Sequence, residues 1–156
     1  MLGDDLRELM RSFPAGVGVL TVDAAGERLG LTVSAVVSLS LDPPLVGVSV
    51  SRQAAMHELL RAAGGFALSL LSGEQAAVAQ HFARGVPPFA HWHGIEWREG
   101  TFGAPLLEGA LGWLECRLSA EHATGDHTLF VGEVVSVERG RGGSALVHVG
   151  QGYVSV

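Results

Sequence analysis

The chain contains no lysine: its ten basic residues are all arginine, they stand against sixteen acids for a net charge of −6, and they never cluster. The basic run that a phosphate backbone requires is missing, which argues against nucleic acid as a partner. Cysteine is as scarce. Cys116 alone excludes an internal disulfide and a multi-cysteine zinc site, and it suits a reducing compartment. No apolar run approaches the ~18 residues of a membrane span. The N-terminus carries Asp4 and Asp5 where a targeting segment would be basic. A cytoplasmic protein without a membrane partner is expected. No Gly-x-Gly-x-x-Gly fingerprint follows a strand, so a Rossmann nicotinamide pocket is not supported. Neither a Gly-x-Ser-x-Gly elbow nor a distinctive acid pair marks a hydrolase.

What is present is core material. With 156 residues, 47% hydrophobic and 17% charged, the chain matches one domain over residues 1–156 and leaves apolar surface for a subunit interface. Over residues 31–41, apolar side chains take the odd positions (Leu31, Val33, Ala35, Val37, Leu39, Leu41). Hydroxyls take even ones (Thr32, Ser34, Ser38, Ser40), with Val36 as the interruption. This is the period of a strand with one hydroxylated face, which suits a polar ligand or a pinned loop. The ligand is the expectation. Asp42-Pro43-Pro44 reads as the stop, because proline has no N–H for a ladder.

Leu6, Leu9, Met10 and Phe13 recur at helical spacing behind Asp4 and Asp5, which predicts a short amphipathic helix ended by Pro14. Strands are expected over residues 17–22, 28–41 and 46–51. The period then changes, and Met56, Leu59, Leu60 and Ala63 predict a helix closed by Gly64-Gly65. A strand over 66–71 precedes a helix from Ser72 and Gln75, a weak capping box, to about Phe82. Residues 84–105 show neither period and form a long connection, a class often functional. Long strands over 114–121 and 130–137 flank the Gly125-Asp126-His127 corner, and 145–149 and 153–156 close the sheet. Strands with inserted helices, not strictly alternating ones, favour an antiparallel barrel over a doubly wound sheet.

Three segments carry candidate chemistry. Ser51-Arg52, between strand and helix, would set a guanidinium beside helix N–H groups and suit a phosphate; a capping Ser51 with a solvated Arg52 fits the same residues. His127 opens a strand after a Gly-Asp turn, and reads either as a structural histidine or as a functional one over the hydroxyl face. His81, His91 and His93 lack a convincing further ligand, so no metal is expected, and Cys116 inside a strand reads as core.

Taken together, Gly30-Leu31-Thr32-Val33-Ser34-Ala35, the stretch from Ser38 to Leu45, Ser51-Arg52 and His57-Glu58-Leu59-Leu60 resemble the signature of short-chain flavin reductases with the FMN-binding split-barrel fold. His81-Phe82-Ala83, Leu107-Glu108-Gly109-Ala110 and Gly125-Asp126-His127-Thr128 extend the likeness to about residues 6–153. The resemblance implies a mainly β, antiparallel Greek-key split barrel with inserted helices, forming a homodimer that binds FMN or FAD. NADH or NADPH would pass hydride to the flavin, and reduced flavin would diffuse to a separate monooxygenase. It further implies that Thr32, Val33, Ser34 and Ala35, with Ser38, contact the flavin. Ser51, Arg52 and Gln53 would lie on the phosphate side, Phe82 and Ala83 at the pocket edge, His127 at the nicotinamide and Tyr153 near the C-terminal closure. Other members of the fold imply alternatives: a flavin- or haem-binding carrier or sensor without turnover, or an oxidoreductase with tightly held flavin. The sequence departs from the family at Gln53-Ala54-Ala55-Met56, where hydroxyl and basic residues are usual, and at His148, which replaces an aromatic.

Overall fold

The computed structural model describes residues 1–84 and 86–156, so Gly85, inside the long connection, lies outside the described residues. Helix α1 (Leu2–Met10) sets Asp4 and Asp5 in its first turn, at the positive end of the helix dipole, and all its residues are exposed. It ends before Phe13, which falls in the following turn.

The short strand β1 (Ala15–Gly16) leads into β2 (Gly18–Ala24), whose alternation divides two cores. Leu20 and Val22 pack with Met56, Leu60, Phe66 and Phe130, while Val17 and Val19 pack with Leu71, Ala79, Phe82, Leu107 and Leu146. Buried on both faces, β2 is the wall between them.

The single strand expected over residues 28–41 is two, β3 (Glu27–Val33) and β4 (Val36–Leu41), parted at Ser34-Ala35. Val36, the interruption in the alternation, marks the break. Beyond it the parity inverts: Val36 packs on the barrel core, and Val37 and Leu39 turn outward, 46% and 45% exposed. The strand does stop before the prolines, at Leu41. Asp42-Pro43 is a two-residue turn into β5 (Pro44–Ser51), with Leu41 opposite Pro44.

Helix α2 (Ala55–Ala63) buries Met56, His57 and Leu60. Gly64 ends it in the left-handed region at φ 71°, its N–H on the Leu60 carbonyl, as the Gly64-Gly65 signal predicts. After β6 (Gly65–Leu70), the Ser72 N–H donates to Gln75 Oε1 at 2.9 Å, the back-reaching half of a capping box, ahead of α3 (Ala76–Ala83). The long connection holds a 3-10 turn (Pro88–Ala90) and the hairpin of β7 (Trp97–Glu99) with β8 (Pro105–Leu107). These strands are too short to display a period. β9 (Gly112–Thr124) and β10 (His127–Arg139) are the long pair expected about the Gly-Asp-His corner, followed by β11 (Leu146–Val149) and β12 (Gly152–Ser155).

Seven strands form one antiparallel sheet in the order β3-β2-β6-β9-β10-β5-β4, and β1, β11 and β12 form a smaller one. The large sheet is not closed. Its edges, β3 and β4, are consecutive in the chain and tied by Ser34-Ala35, which is the split barrel the resemblance implies.

Candidate active site

Antiparallel pairing of β5 with β10 sets Ser51 opposite His127. Past the end of that ladder the Arg52 N–H donates to the Asp126 carbonyl at 3.0 Å, and Arg52 Nη1 donates to the Gly125 carbonyl at 3.3 Å. The Gln53 N–H donates to Ser51 Oγ at 3.2 Å. Residues 51–53 and the His127 turn, distant in sequence, are one corner of the molecule.

Helix α2 begins at this corner with Ala54 as its N-cap, and among the described residues no side chain caps it. Alanine is a poor N-cap. The first-turn N–H groups it leaves, beside an exposed guanidinium, make a place for an anion. Across the corner, His127 Nδ1 lies 2.7 Å from Asp126 Oδ1. An ionised carboxylate only accepts, so Nδ1 carries the proton and Nε2 is the nitrogen left for a ligand. The same hydrogen bond, helped by the imidazole's charge, holds the Asp126 carboxyl below its ordinary value.

The Ser49 N–H donates to the Ala35 carbonyl at 3.0 Å, which lays the Ser34-Ala35 link beside β5, two residues from Ser51. Ser34 is exposed and lines a cavity of about 290 Å³ with Gly16, Val17, Val36, Leu71 and Leu146. Ligand pockets begin at about this size. The hydroxylated face expected of residues 31–41 is divided by the break in the strand. Thr32 Oγ1 donates to the Ala79 carbonyl at 2.6 Å, so the proton of this hydroxyl pins α3. Val33 is buried in the barrel core, and Ser38 is exposed on β4 opposite Val46.

Phe82 is 2% exposed, and its ring lies so close to Gly30 that a Cβ there would stand 2.7 Å from Phe82 Cε1. Its side chain supports β3 from within the second core, and the exposed residue of the motif is Ala83. Gly30 donates its N–H to His91 Nε2 at 2.9 Å, while Trp92 Nε1 donates to the Arg28 carbonyl at 3.2 Å. Side chains of the long connection thus cover the outer edge of β3, where an unpaired strand would invite pairing. Burial, with the charge of His81 nearby, holds His91 below its ordinary value. His81 Nε2 in turn meets the His91 carbonyl at 2.7 Å. Among the described residues, no three His, Cys, Asp or Glu side chains converge as a metal site. Tyr153, half-buried on β12, packs against the second core beside His148; burial pushes its phenol up.

The family model described as a flavin reductase like domain matches residues 10–156. The chain belongs to this family. It is 42% identical over 147 residues to the 4-hydroxyphenylacetate 3-monooxygenase reductase component of Thermus thermophilus, covering 94% of this chain and 92% of that one. Among solved structures, the NADH:FAD oxidoreductase of Streptomyces globisporus, in complex with NAD and FAD fragments, superposes with a TM-score of 0.91 at 36% identity over 97% of this chain and 90% of that one. BorF, the flavin reductase component of a bacterial two-component tryptophan halogenase, superposes with a TM-score of 0.90 at 36% identity over 99% and 98%.

Two further residues of this flavin reductase-like chain complete the picture. Cys116 is fully buried, and burial together with the Glu115 charge pushes its thiol up to about 12, which fits a core residue and not a nucleophile. His57, to which sequence reasoning gave no role, is 7% exposed and bonded at both ring nitrogens. The signal was available: it stands three residues before Leu60 on the buried side of α2.

Proposed function

We propose that this flavin reductase uses NADH or NADPH to reduce FMN or FAD and supplies the reduced flavin to a separate monooxygenase. The observation that carries the reading is the corner itself, where an uncapped helix start and Arg52 stand hydrogen-bonded to the turn that bears His127. A bound flavin would supply the hydride acceptor. The residues serve positioning. Arg52 and the first turn of α2 hold the flavin phosphate, the backbone at Ser34-Ala35 borders the ring, and His127 presents Nε2 on the nicotinamide side, with its tautomer set by Asp126.

Ala54 at the cap, where a hydroxyl would add a further hold on the phosphate, favours flavin as a substrate that leaves over a fixed prosthetic group. Departing flavin is what a partner oxygenase requires. The protein works as a homodimer in the cytoplasm. Val37, Leu39 and Leu129 converge over Gly47, each 3.1 Å from where a Cβ would stand, as an apolar outer face. Leu6, Leu9 and Phe13 on and after α1 are also exposed. Apolar surface of this kind fits an isologous second copy.

The test is steady-state oxidation of NADH and of NADPH by flavin-stripped protein, with FMN, FAD or riboflavin added or withheld. Turnover that saturates with added flavin supports the reductase with diffusible flavin. Tight flavin binding without oxidation would replace it by the carrier or sensor.

A further inference from the structure

The first turn of α2 starts a polar chain, buried at His57 and Thr128 and exposed at Glu58, that the corner described above does not use. His57 is 7% exposed and sits edge-on to Phe130, ring centroids 5.2 Å apart. Its Nδ1 meets the Glu58 carboxylate, and its Nε2 lies 2.6 Å from Thr128 Oγ1. Arg61 holds Glu58 from the other side at 3.1 Å and also reaches Glu121. Because the carboxylate accepts, Nδ1–H donates, and Nε2 is the nitrogen that meets the Thr128 hydroxyl. Thr128 is itself 6% exposed and pairs with Val50, so both ends of the bond are fixed.

A histidine whose work was packing against Phe130 would cost less as leucine, since buried imidazole nitrogens must be satisfied. Here Glu58 satisfies one of them and Thr128 the other. Helix α2 packs on β2, β3, β5 and β6, and it meets β10 through Phe130 and, by a polar bond, through Thr128. Thr128 is the residue after His127, and along a strand neighbours point to opposite faces. Fixing the Thr128 side chain on the inner face therefore fixes where His127 departs from the outer one.

We infer that His57 is a positioning residue that, through Thr128, couples occupancy of the phosphate corner at the start of α2 to the placement of His127. The inference rests on the flavin reductase reading of that corner. An anion held by the first turn of α2 steadies the helix, and the His57–Thr128 bond carries that order to the nicotinamide side. Flavin with a phosphate then improves nicotinamide use beyond what the ring alone does, a coupling between two sites.

The experiment compares FMN with riboflavin as acceptor in the full-length, flavin-stripped protein, measuring KM for NADH and kcat with each. In the unmodified protein KM for NADH is lower with FMN by about fivefold or more, the lower end of such couplings. Thr128→Val, which keeps the shape and removes the hydroxyl, abolishes that ratio while kcat with riboflavin stays within about twofold. Thr128→Ser restores it. A residue that only stabilised the fold would lower kcat and melting temperature with both flavins and leave the ratio in place. His57→Gln, which loses the ring's reach to Thr128, supplies the same reading if Thr128→Val does not fold. An FMN advantage that survives both variants overturns the coupling alone. Arg52→Ala tests the corner separately: if it binds FMN and riboflavin as the unmodified protein does, the phosphate-side reading fails first and the coupling falls with it.

Discussion

Nε2 of His91 lies 2.9 Å from the backbone nitrogen of Gly30, so a side chain completes a point on the sheet edge where another strand would otherwise sit. An imidazole can accept there only while neutral.

Protonation of His91 therefore opposes folding. Its pKa in the folded protein is lowered, by burial first and the His81 charge second, so the unfolded chain binds the extra proton at higher pH than the folded one. The resulting stability is complete above the ordinary histidine value of about 6.5 and is lost as pH falls through the window down to the depressed folded value. His91→Gln keeps an acceptor for the Gly30 N–H and removes the charge. The drop in melting temperature between neutral and mildly acidic buffer shrinks in this variant. An unchanged drop would take His91 out of the acid response.

Gly30→Ala places a methyl group against the Phe82 ring in a closed core. Overpacking of this kind costs about 1–3 kcal/mol. Chemical denaturation reads the loss directly, and a variant as stable as the parent would mean that Phe82 moves aside freely.

His127→Ala raises KM for NADH by about tenfold, the loss of roughly 1.4 kcal/mol of contact, while FMN affinity stays within about twofold. Equal losses in both would move His127 from the nicotinamide side to the flavin. Fluorescence titration of FMN and initial rates over an NADH series separate the two.

Leu39→Asp buries a charge in the apolar face around Gly47 if that face meets a second copy. Sedimentation then shows a monomer. A dimer that persists in the variant would assign the contact elsewhere.

What the sequence disclosed is mostly local. The β9–β10 hairpin, the closure of α2 at Gly64 and the capping interaction of Gln75 each depend on residues near one another, and each shows as period or punctuation. The Ser51-Arg52 and Gly125-Asp126-His127 segments were visible as motifs, though their hydrogen bonds to each other follow from the β5–β10 register, which periodicity does not encode. Residues 31–41 teach the converse. Alternation reports parity along a strand but not what lies opposite, so four hydroxyls in register looked like one face; Val36 reverses the parity, and a carbonyl of α3 takes Thr32. Phe82 gave no sign of its burial because its partner, Gly30, contributes only the absence of a side chain.

Because His91 and Trp92 occupy the backbone groups of β3 at Gly30 and Arg28, this border of the large sheet is blocked at its middle. Stacking of molecules edge to edge into a growing fibre needs a border to give and another to receive. With β3 blocked there, association through the β4 border closes after two molecules and does not propagate. The side chains that trim β3 thus bound the size of an assembly built by adding strands to this sheet.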